Sequence, residues 1–206
     1  MNIHPKKHLM RKYEEGKINK LSKSLKKAGI ARGLISQIMK GGEAIRNSAT
    51  PQEKADWLKK AMLRMDELLD KDARQAVREA CACCLGGKRL KLSKAIAIQN
   101  ETLKDRIKVA NKTFLSSPFL FGRGVKMLKD GRIQVSFAPE GLPAYGCSCF
   151  GGKVKGPLPI TYCYCCGGHV KHHLQIALGR KLECQVRSSS LSSGGKKPCI
   201  FLFTLR

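Results

Sequence analysis

The chain has 206 residues, 42% of them hydrophobic, with 40 lysines and arginines against 15 acidic residues and a formal charge of +25. That is enough apolar material for one sizeable core, and the charge points to anionic partners. No stretch approaches the ~20 apolar residues of a transmembrane helix, and the first residues carry no apolar leader, so a cytoplasmic protein with no membrane partner is expected. The ten cysteines are then reduced, which turns attention from disulfides to metal ligation and thiolate chemistry. Residues 1–80 hold 19 basic and 10 acidic side chains and residues 81–206 hold 21 and 5, so the cysteine-bearing part is the more cationic.

The chain opens on lysine-rich helix from Leu9 to Leu25, a break at Gly29, and a second helix over Ile30–Met39. The run LSKSLKKAGIARGLISQIMKG has the glycine turn and apolar positions of a helix-turn-helix, which makes nucleic acid one candidate partner. Residues 1–44 are expected to form a basic helical extension, with Met1–Arg32 the more mobile part, and residues 45–206 a cysteine-rich α+β domain. Thr50-Pro51-Gln52-Glu53 combines an N-cap hydroxyl, proline at the first helical position and a capping-box glutamate. The helix behind it should bury Trp57, Leu58, Met62 and Met65.

A further helix begins near Asp72 and runs on through Cys81–Cys84 to Gly86-Gly87, placing Cys81 and Cys84 on one face. Lys88–Ala97 is a short basic helix, and Asn100 is placed to cap the next one, to Phe114. Lys126–Leu128 and Ile133–Phe137 flank Asp130-Gly131, a hairpin turn signal. Cys147 and Cys149 follow in a C-x-C arrangement. On a strand they would share a face and could oppose Cys163 and Cys165 through Gly151–Pro159.

Thr161–Arg180, TYCYCCGGHVKHHLQIALGR, is the densest chemical signal. Ile160–Tyr162 has a strand-like composition, which would send Cys163 and Cys165 to one face. Beyond it Val170, Leu174, Ala177 and Leu178 repeat with helical spacing, bordered by Cys166, His169 and His173, and Gly179 is placed to end the helix. Thiolates and imidazoles at this density suit zinc or another borderline-soft ion, drawn from Cys147, Cys149, Cys163, Cys165, Cys166, His169 and His173. The alternative is that the cysteines are small core residues and the histidines are satisfied locally. Lys181–Ser189 and Pro198–Leu205 then read as a hairpin around a serine- and glycine-rich tip.

The cysteine run, the helix ending in LGRKLECQV, the serine/glycine turn and the closing PCIFLF resemble the small-molecule-binding domain of the 4-vinyl-reductase type. They also resemble the L-2-amino-thiazoline-4-carboxylic acid hydrolase-like proteins and an uncharacterised cysteine-rich microbial family allied to them. The resemblance covers roughly the last 60 residues and implies an α+β domain with an antiparallel sheet, helices on one face, a ligand cavity between them and assembly as homodimers. It implies metal ligands at a cysteine before the helix, at Glu-x-x-Cys after LGR, and at a last cysteine in the closing hairpin. Cys163, Cys165 or Cys166 matches the first and Cys199 the last, but Val186 and Ser189 fall near the middle pair, so the family's zinc site is not carried over intact.

The expected fold is therefore α+β, an N-terminal helical segment packed on an antiparallel sheet with a long C-terminal helix. The expected function is a zinc-binding, cysteine-rich module that takes a small anionic molecule between that helix and the sheet. Its apolar wall would be Leu174 or Phe137, and its mouth would be lined by Lys153, Lys155, Lys171 and Arg180, with His169, Lys171 and Arg180 as binding residues. Two alternatives stand beside it: a hydrolase using a cysteine thiolate or metal-bound water, and a basic nucleic-acid-binding regulator.

Overall fold

A computed structural model describes residues 13–116, 124–137, 145–147 and 152–206. Among them, seven α-helices and a four-stranded antiparallel sheet make the α+β fold that the order of helical and strand patterns predicts.

Helix α1 (Gly16–Lys27) starts at Glu15, whose carboxylate accepts from the amides of Lys17 and Ile18 at 2.7 and 2.8 Å, a negative group against the positive helix end. Gly29, at φ +73°, makes the turn to α2 (Arg32–Ile38). Helix α3 (Pro51–Leu68) carries the capping box, with Thr50 Oγ1 accepting from the Glu53 amide at 3.2 Å and the Glu53 carboxylate accepting from the Thr50 amide at 2.7 Å. Its Trp57, Leu58, Met62 and Met65 pack with Ile18, Leu21 and Leu25 of α1 in an apolar cluster that also holds Leu158, Tyr162 and Leu191. The division expected at residue 44 thus cuts one continuous cluster, and α1 supplies some of its fully buried side chains.

Helix α4 (Lys71–Ala80) is capped by Asp70, which accepts from the Ala73 amide at 2.8 Å, and stops at Ala80 instead of reaching Cys84. The backbone beyond is drawn off by side chains of other elements that bind its carbonyls, so Cys81 and Cys84 share no helix face. Helix α5 (Gly87–Gln99) and helix α6 (Leu103–Ser116) follow. The cap of α6 is Thr102, whose hydroxyl accepts from the Asp105 amide at 3.1 Å, while Asn100 turns back to donate to the Ile96 carbonyl at 2.9 Å.

Strands β1 (Gly124–Met127) and β2 (Ile133–Phe137) form the expected hairpin, with Gly131 at φ +79° in its turn. Strands β3 (Tyr145–Cys147) and β4 (Gly152–Val154) pair as a separate small sheet. Residues 160–163, expected as strand, form a 3-10 turn that leads directly into α7 (Tyr164–Leu178). Pro159 opens the turn, and tertiary bonds hold it: Thr161 donates to Asp66 at 2.5 Å, and the Tyr162 carbonyl accepts from buried Arg78 at 2.9 Å. Gly179 ends α7 at φ +64°, as its place in the sequence requires. Strands β5 (Leu182–Ser188) and β6 (Cys199–Leu205) complete the main sheet in the order β1-β2-β6-β5.

One face of that sheet, Val125, Ile133, Val135, Phe201 and Phe203, packs on Val170, Leu174, Ala177 and Leu178 of α7. These side chains are almost wholly buried, so the space expected to hold a ligand between helix and sheet is filled core. The Phe137 side chain lies outside the described residues. On its other side α7 meets α4 at backbone distance, because residues 167 and 168 are glycines: a Cβ on Gly168 would stand 2.5 Å from the Glu79 carbonyl oxygen, and one on Gly167 2.9 Å from the Cys184 sulfur. Among the described residues no helix is long and apolar enough to cross a membrane.

Candidate functional site

Among the described residues the expected metal ligands are distributed rather than gathered. Cys147 lies in β3 in register with Gly152, not opposite Cys163 or Cys165, and Cys149 falls outside the described residues. Cys165 is buried and Cys166 half-buried in the first turn of α7. Among the described residues no group of three cysteine, histidine, aspartate or glutamate side chains is arranged to hold a metal ion.

The histidines of α7 are engaged with backbone. His169 Nδ1 donates to the Cys83 carbonyl at 2.7 Å, His173 Nε2 to Cys84 at 3.0 Å and His172 Nε2 to Leu85 at 3.2 Å. Lys20 of α1 donates to the carbonyl of Ala82, so four successive loop carbonyls each receive a side-chain donor. A carbonyl only accepts, which places a proton on each of those ring nitrogens. His173 Nδ1 lies 3.0 Å from the Ser93 hydroxyl, which also reaches the Arg89 carbonyl at 3.0 Å. Burial pushes the His169 pKa down to about 4, against the pull of the Cys83 carbonyl, with His173, Arg89 and His172 lowering it further. His173 is lowered mainly by burial as well. The three imidazoles fasten the loop between α4 and α5. Helical spacing marked His169 and His173 as semi-buried, but nothing local identified carbonyls so far upstream as their partners.

A second cluster forms where the 160–163 turn meets the end of β5. Cys163 Sγ lies 2.8 Å from the Ser189 hydroxyl, and the Ser190 amide donates to Cys199 Sγ at 3.3 Å. Burial raises the Cys199 thiol pKa, while the Ser190 amide and Ser189 hydroxyl act to lower it. Cys163, one of three candidates for the first ligand position implied by the family resemblance, Ser189, which falls near the middle pair, and Cys199 therefore meet. The Ser190 hydroxyl beside them is buried, with no hydrogen-bond partner among the described residues.

The third feature is a groove of about 780 Å³ along the outer edge of β5, walled by α4 and α7. Gln75 of α4 donates to the Cys184 carbonyl at 2.6 Å and Gln175 of α7 accepts from the Leu182 amide at 2.9 Å, which caps part of the strand edge. Two ion pairs cross its walls, Lys171 with Glu79 at 2.7 Å and Arg206 with Glu183. Lys71 and Lys181 also line it, and neither has an ion pair among the described residues. Its thiol, Cys184, is raised well above the ordinary range, first by burial and then by Glu79, so it is protonated at neutral pH. Of the residues expected at the ligand, Lys171 lines this groove. His169 of α7 is bonded to the 82–85 loop, and Arg180 is exposed past the end of α7. Lys155 sits at the start of α3, its amide donating to Gln52 at 2.8 Å, and the Lys153 side chain lies outside the described residues. Compared with family models, with curated proteins and with solved structures, the chain matches none.

Proposed function

We propose that this chain is a cytoplasmic binding module for a small anionic molecule, held in the groove between α4, α7 and β5. The observation that carries the reading is the groove itself, within the usual size of a ligand site of roughly 300–1,000 Å³ and furnished with Lys71 and Lys181, which make no ion pair among the described residues. A carboxylate or phosphate would pair with Lys71 and Lys181, while the amide side chains of Gln75 and Gln175 restrict where a ligand can bond to the strand edge. Binding is favoured over thiolate catalysis here because the thiol in the groove is held protonated, and its nucleophilic form is the thiolate.

The test is thermal shift with a panel of dicarboxylates and phosphate monoesters, on the parent chain and on Lys71→Glu and Lys181→Glu. A compound at 100 times its Kd should add about 2.7 kcal/mol to stability, and each variant should lose most of that gain. A panel without stabilising compounds, or a stabilisation that both variants retain, removes the reading.

A second reading keeps a metal, on the meeting of Cys163, Ser189 and Cys199 and the orphaned Ser190 hydroxyl beside them. Two thiols and a hydroxyl fall short of the four donors of a closed zinc site, so this reading needs ligands whose side chains are not among those described, with Cys147 and Cys149 the candidates. Elemental analysis of protein prepared without chelators should then give about one metal ion per chain. Cys163→Ser and Cys199→Ser should each lower both metal content and melting temperature, since structural metal binding is folding free energy. Metal-free protein with the parent stability would dismiss it.

A further inference from the structure

Of the eight cysteines whose side chains are described, Cys83 and Cys84 are exposed and the other six are buried or half-buried. The exposed two are consecutive, so their thiols hang from Cα atoms about 3.8 Å apart. The backbone that carries them is held in place: Lys20, His169, His173 and His172 bind the carbonyls of residues 82 to 85. Within that loop Cys84 adopts φ +59°, and it is the one non-glycine residue at positive φ among the described residues. The left-handed conformation costs an L-residue about 1–2 kcal/mol and would cost glycine almost nothing. A side chain kept in such a position, on a loop fastened at four successive carbonyls, points to a use for that side chain.

We propose that Cys83 and Cys84 form a two-thiol chelating site for trivalent arsenic species, the arsenite and organoarsenical class. Each thiol gives up its proton and forms one arsenic–sulfur bond. Arsenite loses two of its hydroxyls as water, and a monosubstituted arsine oxide loses its oxygen as one water. Arsenic stays trivalent and sulfur stays at the thiol level, so the step needs neither oxidant nor reductant. A single thiol binds such a centre weakly, whereas a second thiol on the next residue closes a chelate. Because the loop is already fixed, closing it orders little additional chain. The imidazoles serve by gripping the backbone, and the site is independent of the groove.

The experiment is intact-protein mass spectrometry of the full reduced chain with one equivalent of phenylarsine oxide in excess monothiol. The expected result is a single adduct, heavier by the arsine oxide less one water, with two thiols lost to titration and the adduct reversed by 2,3-dimercaptopropanol. Cys83→Ser and Cys84→Ser should each weaken capture by about 100-fold or more, the advantage an intramolecular second contact supplies. The Cys147→Ser, Cys149→Ser double variant should capture as the parent does. The fasteners hold carbonyls rather than thiols, so the serine variants should melt with the parent, which is read in the same samples. An absent adduct at one equivalent, an adduct that survives loss of both Cys83 and Cys84, or one lost with Cys147 and Cys149, overturns the assignment.

Discussion

Acidification from pH 7 to pH 4 should destabilise the fold by about 3 kcal/mol through His169 alone. The folded pKa of about 4 lies below the ordinary 6.5, so between those values the unfolded chain binds the proton that the folded chain refuses. Stability from this group is therefore fully present above pH 6.5 and is lost as pH falls toward 4. His173, lowered by burial as well, adds in the same direction. The physical cause is a cationic imidazolium forming in a buried site, with ring centroids 4.8 Å (His169–His173) and 5.1 Å (His172–His173) apart and Arg89 nearby. Urea unfolding at half-unit pH steps would measure it, and His169→Gln should flatten the profile between pH 6.5 and 4. The exposed carboxylates Glu14, Glu53 and Asp130, whose pKa values are lowered first by hydrogen bonds, contribute in the same direction, with stability present above the ordinary carboxylate range and lost as pH falls through the lowered values. A parent profile that is level from pH 6.5 to 4.5 would show that the imidazoles are not buried as described.

Gly168→Ala should cost about 3 kcal/mol or more and lower the melting temperature by roughly 6–12 °C. In an unobstructed helix the same change would stabilise by about 1 kcal/mol, so the sign reports the contact. The new Cβ would lie 2.5, 2.7 and 2.9 Å from the carbonyl oxygen, Cα and carbonyl carbon of Glu79, which are backbone atoms of α4 that cannot rotate aside. Gly167→Ala meets a side-chain sulfur at 2.9 Å, that of Cys184, and should cost less. Since α4 and α7 are both walls of the groove, Gly168→Ala should also weaken any ligand of that groove. Differential scanning calorimetry of both variants decides it, and an unchanged or raised melting temperature for Gly168→Ala would mean that the two helices do not approach as closely as the structure has them.

Much of the candidate site depended on distant partners. His169 was read as a potential zinc ligand because imidazole at helical spacing beside cysteines fits one. The same nitrogen donates equally well to a carbonyl, and which it meets is decided by the loop at residues 82–85, 86 positions upstream for the Cys83 bond. Ser189 was recognised only as a departure from a ligand pattern. Its contact with Cys163, 26 positions upstream, is visible only in the fold. Of the groove only Lys171 is marked by the sequence reading, since Lys71 and Gln75 of α4, Lys171 of α7 and Lys181 just before β5 lie far apart in the chain and the other three are not unusual in their own segments.

What the sequence determined by itself was local. The capping box at Thr50, the 3.6-residue spacing of Val170, Leu174, Ala177 and Leu178, the glycine stop at Gly179 and the Asp130-Gly131 turn each act over a few residues, and each is present in the fold. What only the tertiary structure decided was where chemistry is exposed and where it is consumed. Ile160–Tyr162 became a turn because Arg78 and Asp66 bond to it, the carbonyls beyond the end of α4 went to Lys20 and three imidazoles, and the space under α7 closed because Phe201 and Phe203 fill it. Each outcome turns on a hydrogen bond or an apolar contact between segments far apart in the chain, and such contacts leave no periodicity in the sequence from which they could be read.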